Sequence, residues 1–116
     1  MTFSFCLDTC HISDAGFSLE DANAFITQFT SIVPIDLISC VHVNDSLNEV
    51  GSHKDYHAVI GTGNIPVKSL ARLTTFEEFY DIPKIIESPQ DYDSEWLTFS
   101  DEMKLLLETA EEDEPF

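Results

Sequence analysis

Residues 6–11 read CLDTCH, placing two thiols, a carboxylate and an imidazole within six positions. Taken alone, that stretch admits a redox pair, half of a zinc finger, or a metal site built from the carboxylate and the imidazole. The rest of the chain supplies further groups of the last kind. VHVNDS brings His42 with Asn44 and Asp45, DYH brings Asp55 and His57, and KIIESP brings Glu87. Imidazole with carboxylate suits borderline or hard divalent cations, zinc first and manganese second. Each residue also has a plainer role open to it. Asp8 stands where a helix cap or turn residue would stand, His42 lies in an apolar run where a hydrogen-bonded core histidine would lie, and an Asp-x-His pair in a loop is weak by itself. Against those roles, three of the four histidines fall at these positions, and His53 is the one left over.

The elements between these residues explain why they should meet. Residues 3–8 (FSFCLD) form an apolar run ended by a polar turn, which predicts a strand with Asp8 at its end and His11 in the turn above. Ser18, with an acid three residues on at Asp21, predicts a helix start, and Phe25, Ile26, Phe29 and Ile32 follow at helical spacing until Pro34. Residues 37–43 (LISCVHV) predict a second strand, β-branched and nearly all apolar, as in strands buried on both faces. The polar stretch over residues 44–63 is too long for a simple connection and marks a functional loop. Within it, Asp55 and His57 alternate, and on an extended segment alternate side chains share one side.

A second helix starts at Asn64-Ile65-Pro66 and carries Val67, Leu70 and Leu73, with a helical remnant at residues 76–80. Residues 82–87 (IPKIIE) predict the third strand, stopped by Ser88-Pro89. A last helix is expected over residues 94–109, with Phe99, Met103 and Leu106 on one face and Trp96 nearby. The order βαβαβα predicts an α/β fold with a parallel sheet covered by helices. In such folds ligands bind at the carboxyl edge of the strands, which is where Asp8, His42 and Glu87 fall.

Composition bounds the partners. With 43% hydrophobic and 11% aromatic residues, the chain has the make-up of a folded domain. No apolar run reaches the roughly 20 residues that cross a bilayer. Three cysteines without a leader sequence are expected to be reduced thiols of an intracellular, cytoplasmic protein. Residues 1–110 read as one segment and residues 111–116 as an acidic tail. Twenty-two acidic residues face five basic ones, a formal net charge of −17. Such a charge opposes nucleic-acid binding, where Lys and Arg supply most of the affinity.

CLDTCH, VHVNDS, GSHKDYHAVIGTGNI and KIIESP, in that order, resemble the C-terminal part of endonuclease IV. That family comprises metal-dependent apurinic/apyrimidinic endonucleases of DNA base-excision repair, built on a xylose isomerase-like TIM barrel. The resemblance implies that this chain supplies the last three βα units of a (β/α)8 barrel and is an incomplete barrel by itself. It implies a cluster of up to three zinc ions, with manganese possible. His11, Asp55 and His57 match one complete ligand set. Asp8, His42 and Glu87 match part of a second, with Asp8 and Glu87 serving the reaction as well. The implied reaction is hydrolysis of the phosphodiester 5′ to an abasic site in DNA by metal-activated water. No protein nucleophile is required, which leaves Cys6 and Cys10 to packing. The resemblance also implies that a separate chain could supply the first five strands. On the ligand sets alone, this chain should hold about one zinc ion, through His11, Asp55 and His57.

The chain departs from the pattern at Leu47, His53 and Tyr56, where family members commonly carry basic residues, and Lys54 is a partial substitute. Two other readings therefore stay open: an inactive remnant, and a sugar-processing or metal-binding member of the same barrel superfamily that does not act on DNA.

Overall fold

The computed structural model describes residues 3–89 and 97–112. Strand β1 (Phe5–Asp8) leads directly into a short helix, α1 (Thr9–Asp14), and then into α2 (Ala22–Thr30). A 3-10 turn (Ile35–Leu37) precedes β2 (Ile38–His42). Two short strands, β3 (Asp45–Ser46) and β4 (His57–Ala58), then pair as an antiparallel ladder. Helix α3 (Val67–Thr75), a second 3-10 turn (Glu77–Phe79), β5 (Lys84–Ile85) and α4 (Leu97–Glu112) complete the order. The sheet order is β1-β2-β5, all parallel. This is the expected α/β alternation, with helices over a parallel sheet. No helix among the described residues is long and apolar enough to cross a membrane.

The core lies between the sheet and its helices. Leu7, Ile38 and Val41 from the sheet meet Ile26 from α2, Leu70 and Leu73 from α3, and Leu106 from α4, all buried. Burying a side chain of this size contributes about 1.5–3 kcal/mol. In this chain by itself the second strand is less buried than the expected burial on both faces. Ile38 and Val41 are buried, while Cys40 and His42 are only half-buried. The opposite face of the sheet carries thiols, carboxylates and imidazoles, and polar groups of this kind remain accessible.

Other boundaries move for identifiable reasons. The polar turn after β1 is helical, because an Asp8 side-chain oxygen accepts the His11 N–H at 2.9 Å and caps α1. Helix α2 starts four residues later than Ser18. The acid expected to support the cap is itself the cap, since Asp21 accepts the Ala24 N–H at 3.1 Å while Ser18 takes the Glu20 N–H. Ile32 falls beyond the helix end and is 77% exposed, so it is not part of the buried face. Strand β5 shrinks to Lys84–Ile85. Pro83 has no N–H to donate, the Ile82 N–H turns back to the Phe79 carbonyl, and the Glu87 N–H goes to the Asn44 side chain at 2.9 Å. On α4, Glu102 and Leu106 are buried and Met103 is exposed, so the inward face differs from the expected one. Glu102 is held there by accepting the Ile60 N–H at 2.9 Å and the Ser88 hydroxyl. The expectations for Ser94, Trp96 and the final tail residues 113–116 lie outside the described residues.

The long polar stretch is an organised loop. The buried Asp45 carboxylate accepts N–H groups from Ser46, Gly61, Gly63 and Ile65 at 2.8–3.0 Å. Those contacts draw residues 61–65 back against β3 and position the β3–β4 pair. Gly63 is required for that approach. A Cβ there would come within 2.2 Å of the Ser46 carbonyl oxygen and 2.5 Å of Asp45 Oδ1. Both atoms are fixed, so Gly63→Ala is expected to destabilise the fold by about 1–3 kcal/mol or more. Urea denaturation of the two proteins side by side checks it, and an unchanged midpoint would contradict the clamp.

Candidate metal centre

At the carboxyl edge of the sheet, the strand register aligns the ligand-type residues. Asp8 pairs with His42 across β1 and β2, and Glu87 lies two residues past the end of β5. One Asp8 oxygen caps α1, and the other, Oδ2, faces inward. It lies 3.5 Å from His42 Nδ1 and 3.7 Å from His57 Nε2. His42 Nδ1 also lies 2.7 Å from Glu87 Oε1. Asp8 therefore fills the plain role of helix cap and a place in the cluster at once, because a carboxylate has two oxygens. His42 likewise stands between two carboxylates that are both candidate ligands.

The second half of the cluster comes from α1 and the loop. His11 Nδ1 lies 3.3 Å from Asp55 Oδ2. His57 Nδ1 lies 3.4 Å from the Glu87 carbonyl. Around His57, two sets of donor atoms lie within 4.8 Å of one another: Asp8, His57 and Glu87 in one, and Cys10, Asp55 and His57 in the other. His57 belongs to both. The predicted residues thus meet at one rim, but the division differs from the expected one, because His57 reaches the Asp8–Glu87 side as well as Asp55. His53 stays outside, donating its backbone N–H to the Asp14 carbonyl.

The expected reason for the Asp55–His57 pairing does not hold. The segment is not extended there: His53 and Asp55 have φ of 60° and 54°, in the left-handed region. What brings Asp55 into place is Asp14, which is almost fully buried. Asp14 Oδ2 accepts the Asp55 N–H at 2.7 Å, and Asp14 Oδ1 accepts the Ser46 hydroxyl at 2.7 Å. The sequence alone does not single out Asp14. Its role depends on a six-residue helix that the sequence pattern does not announce.

Asn44 stands in the sequence only as a neighbour of His42, yet it is fully buried and holds the two carboxylates in register. Its side-chain N–H groups go to Asp8 Oδ2 at 3.3 Å and Glu87 Oε1 at 3.2 Å. Its backbone is locked by Thr9, whose hydroxyl donates to the Asn44 carbonyl at 2.6 Å and accepts the Asn44 N–H at 2.8 Å. A fully buried amide needs partners for all its polar atoms, and Asn44 completes them by accepting the Glu87 N–H at 2.9 Å.

Cys10 is fully buried beside this cluster. Burial pushes its thiol up to about 12, the nearby charges of Asp14 and Asp55 add to the rise, and a hydrogen bond with Ser46 opposes it. The folded chain therefore keeps this proton between about pH 9 and 12, where the unfolded chain loses it. Stability falls as pH rises through that window. Wild type is expected to lose denaturation midpoint more steeply than Cys10→Ala from pH 9 to 11, and equal slopes would contradict this.

The donor set fits a divalent cation. Asp8, Asp55 and Glu87 crowd three carboxylates around imidazoles at one edge of the sheet. A cation neutralises that charge, and mixed nitrogen and oxygen donors favour a borderline metal.

A parallel βα sheet with imidazoles and carboxylates gathered at its carboxyl edge is an arrangement that (β/α) barrel proteins share. This chain belongs to the xylose isomerase-like TIM barrel family, whose model matches residues 2–112. Among its relatives, the probable endonuclease 4 of Metamycoplasma arthritidis is 44% identical over 102 residues, covering 88% of this chain and 36% of that protein. The probable endonuclease 4 of Oceanobacillus iheyensis is 47% identical over 87 residues, covering 74% of this chain and 29% of that protein. In three dimensions the chain superimposes on the crystal structure of endonuclease IV from Thermus thermophilus with a TM-score of 0.74 and 28% identity, over 89% of this chain and 38% of that one. The chain thus spans about a third of the length of these relatives, as a partial barrel. The resemblance read from the four motifs is borne out.

Proposed function

We propose that this chain is the metal-holding C-terminal part of an apurinic/apyrimidinic endonuclease of the endonuclease IV type, acting on DNA that carries abasic sites. The observation that carries the reading is the meeting of Asp8, His42, His57 and Glu87 at the carboxyl edge of the sheet, with His11 and Asp55 beside them. The names of the relatives support it. In this reading Asp8, His42, His57 and Glu87 hold metal on one side and His11, Asp55 and His57 on the other, zinc being the first choice and manganese the second.

A divalent metal bound there supplies Lewis-acid polarisation of a phosphodiester oxygen and a more acidic water. The chain's own residues prepare the place. Asp8 has one oxygen committed to capping α1, which leaves Oδ2 to bind or to accept a proton. Asn44 holds Asp8 Oδ2 and Glu87 Oε1 at a set separation. Asp14 fixes the Asp55 backbone, so the Asp55 carboxylate faces His11. Five further βα units complete the barrel, whether on the same polypeptide or on another chain.

One observation favours a second reading. The formal charge is −17, and Leu47 and Tyr56 stand exposed on the loop where basic residues are expected. A small sugar substrate in the same type of barrel would not need those basic residues. A duplex with a tetrahydrofuran abasic-site analogue decides between them. Joined to the first five βα units of a relative, the chain is expected to incise on the 5′ side of the analogue, and Glu87→Ala should abolish the cut. A folded, metal-loaded assembly that leaves the duplex intact would sink the endonuclease reading.

A further inference from the structure

A second group of ligand-type residues lies on the same face of the sheet, one layer below the cluster. The β1–β2 register contains an irregularity: Phe5 pairs with Ile38, but the next residue, Cys6, pairs with Cys40 and not with Ser39. Without that shift the two cysteines would point to opposite faces, because alternate residues of a strand do. With it, Cys6 lies opposite Cys40, and Asp8 lies opposite His42, on one face. Leu7 and Val41 turn to the other face and are buried in the core. The Cys40 thiol is 3.2 Å from the Cys6 sulfur, and neither cysteine is in a disulfide. A His42 ring nitrogen lies within 4.8 Å of both sulfurs.

We propose that Cys6, Cys40 and His42 form a separate site for a thiophilic cation such as zinc, with two sulfur donors and one imidazole donor. This goes beyond the catalytic reading, which uses neither thiol. Two thiolates on one tetrahedral zinc sit about 3.8 Å apart, given Zn–S bonds of about 2.3 Å. The observed 3.2 Å separation reaches that by a small opening of either side chain. Sulfur donors select softer cations than the nitrogen- and oxygen-lined cluster above, which favours a borderline metal. In the chain by itself, where the other barrel strands do not cover this face, Cys6 is exposed and Cys40 half-buried, so a cation can enter there. In a closed barrel this face points to the barrel axis, placing the thiols beneath the carboxyl-edge cluster. His42 is the one residue common to both sites.

The experiment reads thiolate ligation and not incision. The reduced full chain is titrated with Co2+ and followed by thiolate-to-cobalt charge-transfer absorption in the near ultraviolet. The expected result is a saturable band in wild type, lost in Cys6→Ser and in Cys40→Ser and kept in Cys10→Ser and Asp55→Ala. Alkylation by N-ethylmaleimide, mapped by mass spectrometry, checks the same point without substitution. Cd2+ should slow labelling of Cys6 and Cys40 at least tenfold, while Mg2+ should not. No band in wild type, a band that survives loss of both cysteines or vanishes with Cys10, or labelling that Cd2+ leaves unchanged would each overturn the proposal.

Discussion

His57→Ala is expected to strip bound metal from both halves of the carboxyl-edge cluster. His57 is the only residue common to the Asp8–His57–Glu87 group and the Cys10–Asp55–His57 group among the described residues. Its Nε2 lies 3.7 Å from Asp8 Oδ2, and its other nitrogen faces the Glu87 carbonyl at 3.4 Å. Residues that act only through a ligating neighbour already change metal affinity about 10–100-fold. A directly shared donor should change it by about 100-fold or more by the same measure. The ligand sets alone predict one zinc ion, held through His11, Asp55 and His57. The geometry makes the loss broader, because the Asp8 side draws on the same imidazole. Elemental analysis of dialysed wild type and variant reads the outcome. His11→Ala is the comparison, since the His11 ring pairs among the described residues with Asp55, at 3.3 Å, and should affect one half only. Metal retained at wild-type stoichiometry in His57→Ala would remove His57 from the ligand set.

The largest effect on stability is expected at Asp45, which touches no candidate ligand. Its carboxylate is fully buried and accepts four backbone N–H groups, from Ser46, Gly61, Gly63 and Ile65. Hydrogen bonds to a charged acceptor contribute about 1.5–3 kcal/mol each, and an orphaned buried donor costs about 1–3 kcal/mol. The four are not additive, and some of the N–H groups reach water once the loop relaxes. A loss of about 3–5 kcal/mol is therefore expected for Asp45→Ala. Asp45→Asn should recover only part of it, because its amide offers one acceptor oxygen and turns an N–H group toward other donors. Urea denaturation of metal-free protein reads this without interference from ligand binding. An Asp45→Ala midpoint within about 0.5 kcal/mol of wild type would show that the loop is held by other contacts.

Much of this is readable from the chain. The βαβαβα order follows from apolar period and breakers such as Pro34 and Ser88-Pro89, which act within a few residues of themselves. Asp8, His42 and Glu87 can be placed at one rim because each falls at or just beyond the end of a parallel strand. What cannot be read lies in contacts between distant residues. Ser18 loses the cap of α2 to Asp21, because both offer an acceptor at the right distance and the local pattern does not choose between them. Strand β5 is shorter than its apolar run because the Glu87 N–H has an alternative partner in Asn44, 43 residues away in sequence. The Asp-x-His residues do meet the cluster, but for a different reason, since the strained turn at Asp55 is held by Asp14, 41 residues away.

The sequence by itself determined the chemistry on offer: which donors exist, which strand ends carry them, and that imidazole with carboxylate suits a divalent cation. Those properties belong to residue types and short spacings. Tertiary structure alone decided how the donors are shared. A one-residue irregularity between Phe5 and Cys6 sets Cys6 against Cys40. The second Asp8 oxygen is left for the cluster only because the first caps α1. His57 joins both halves only because the Asp45 clamp and the Asp14 contacts fold the loop back over the sheet edge. Each of these rests on register and hydrogen bonds across the fold, which no run of neighbouring residues encodes.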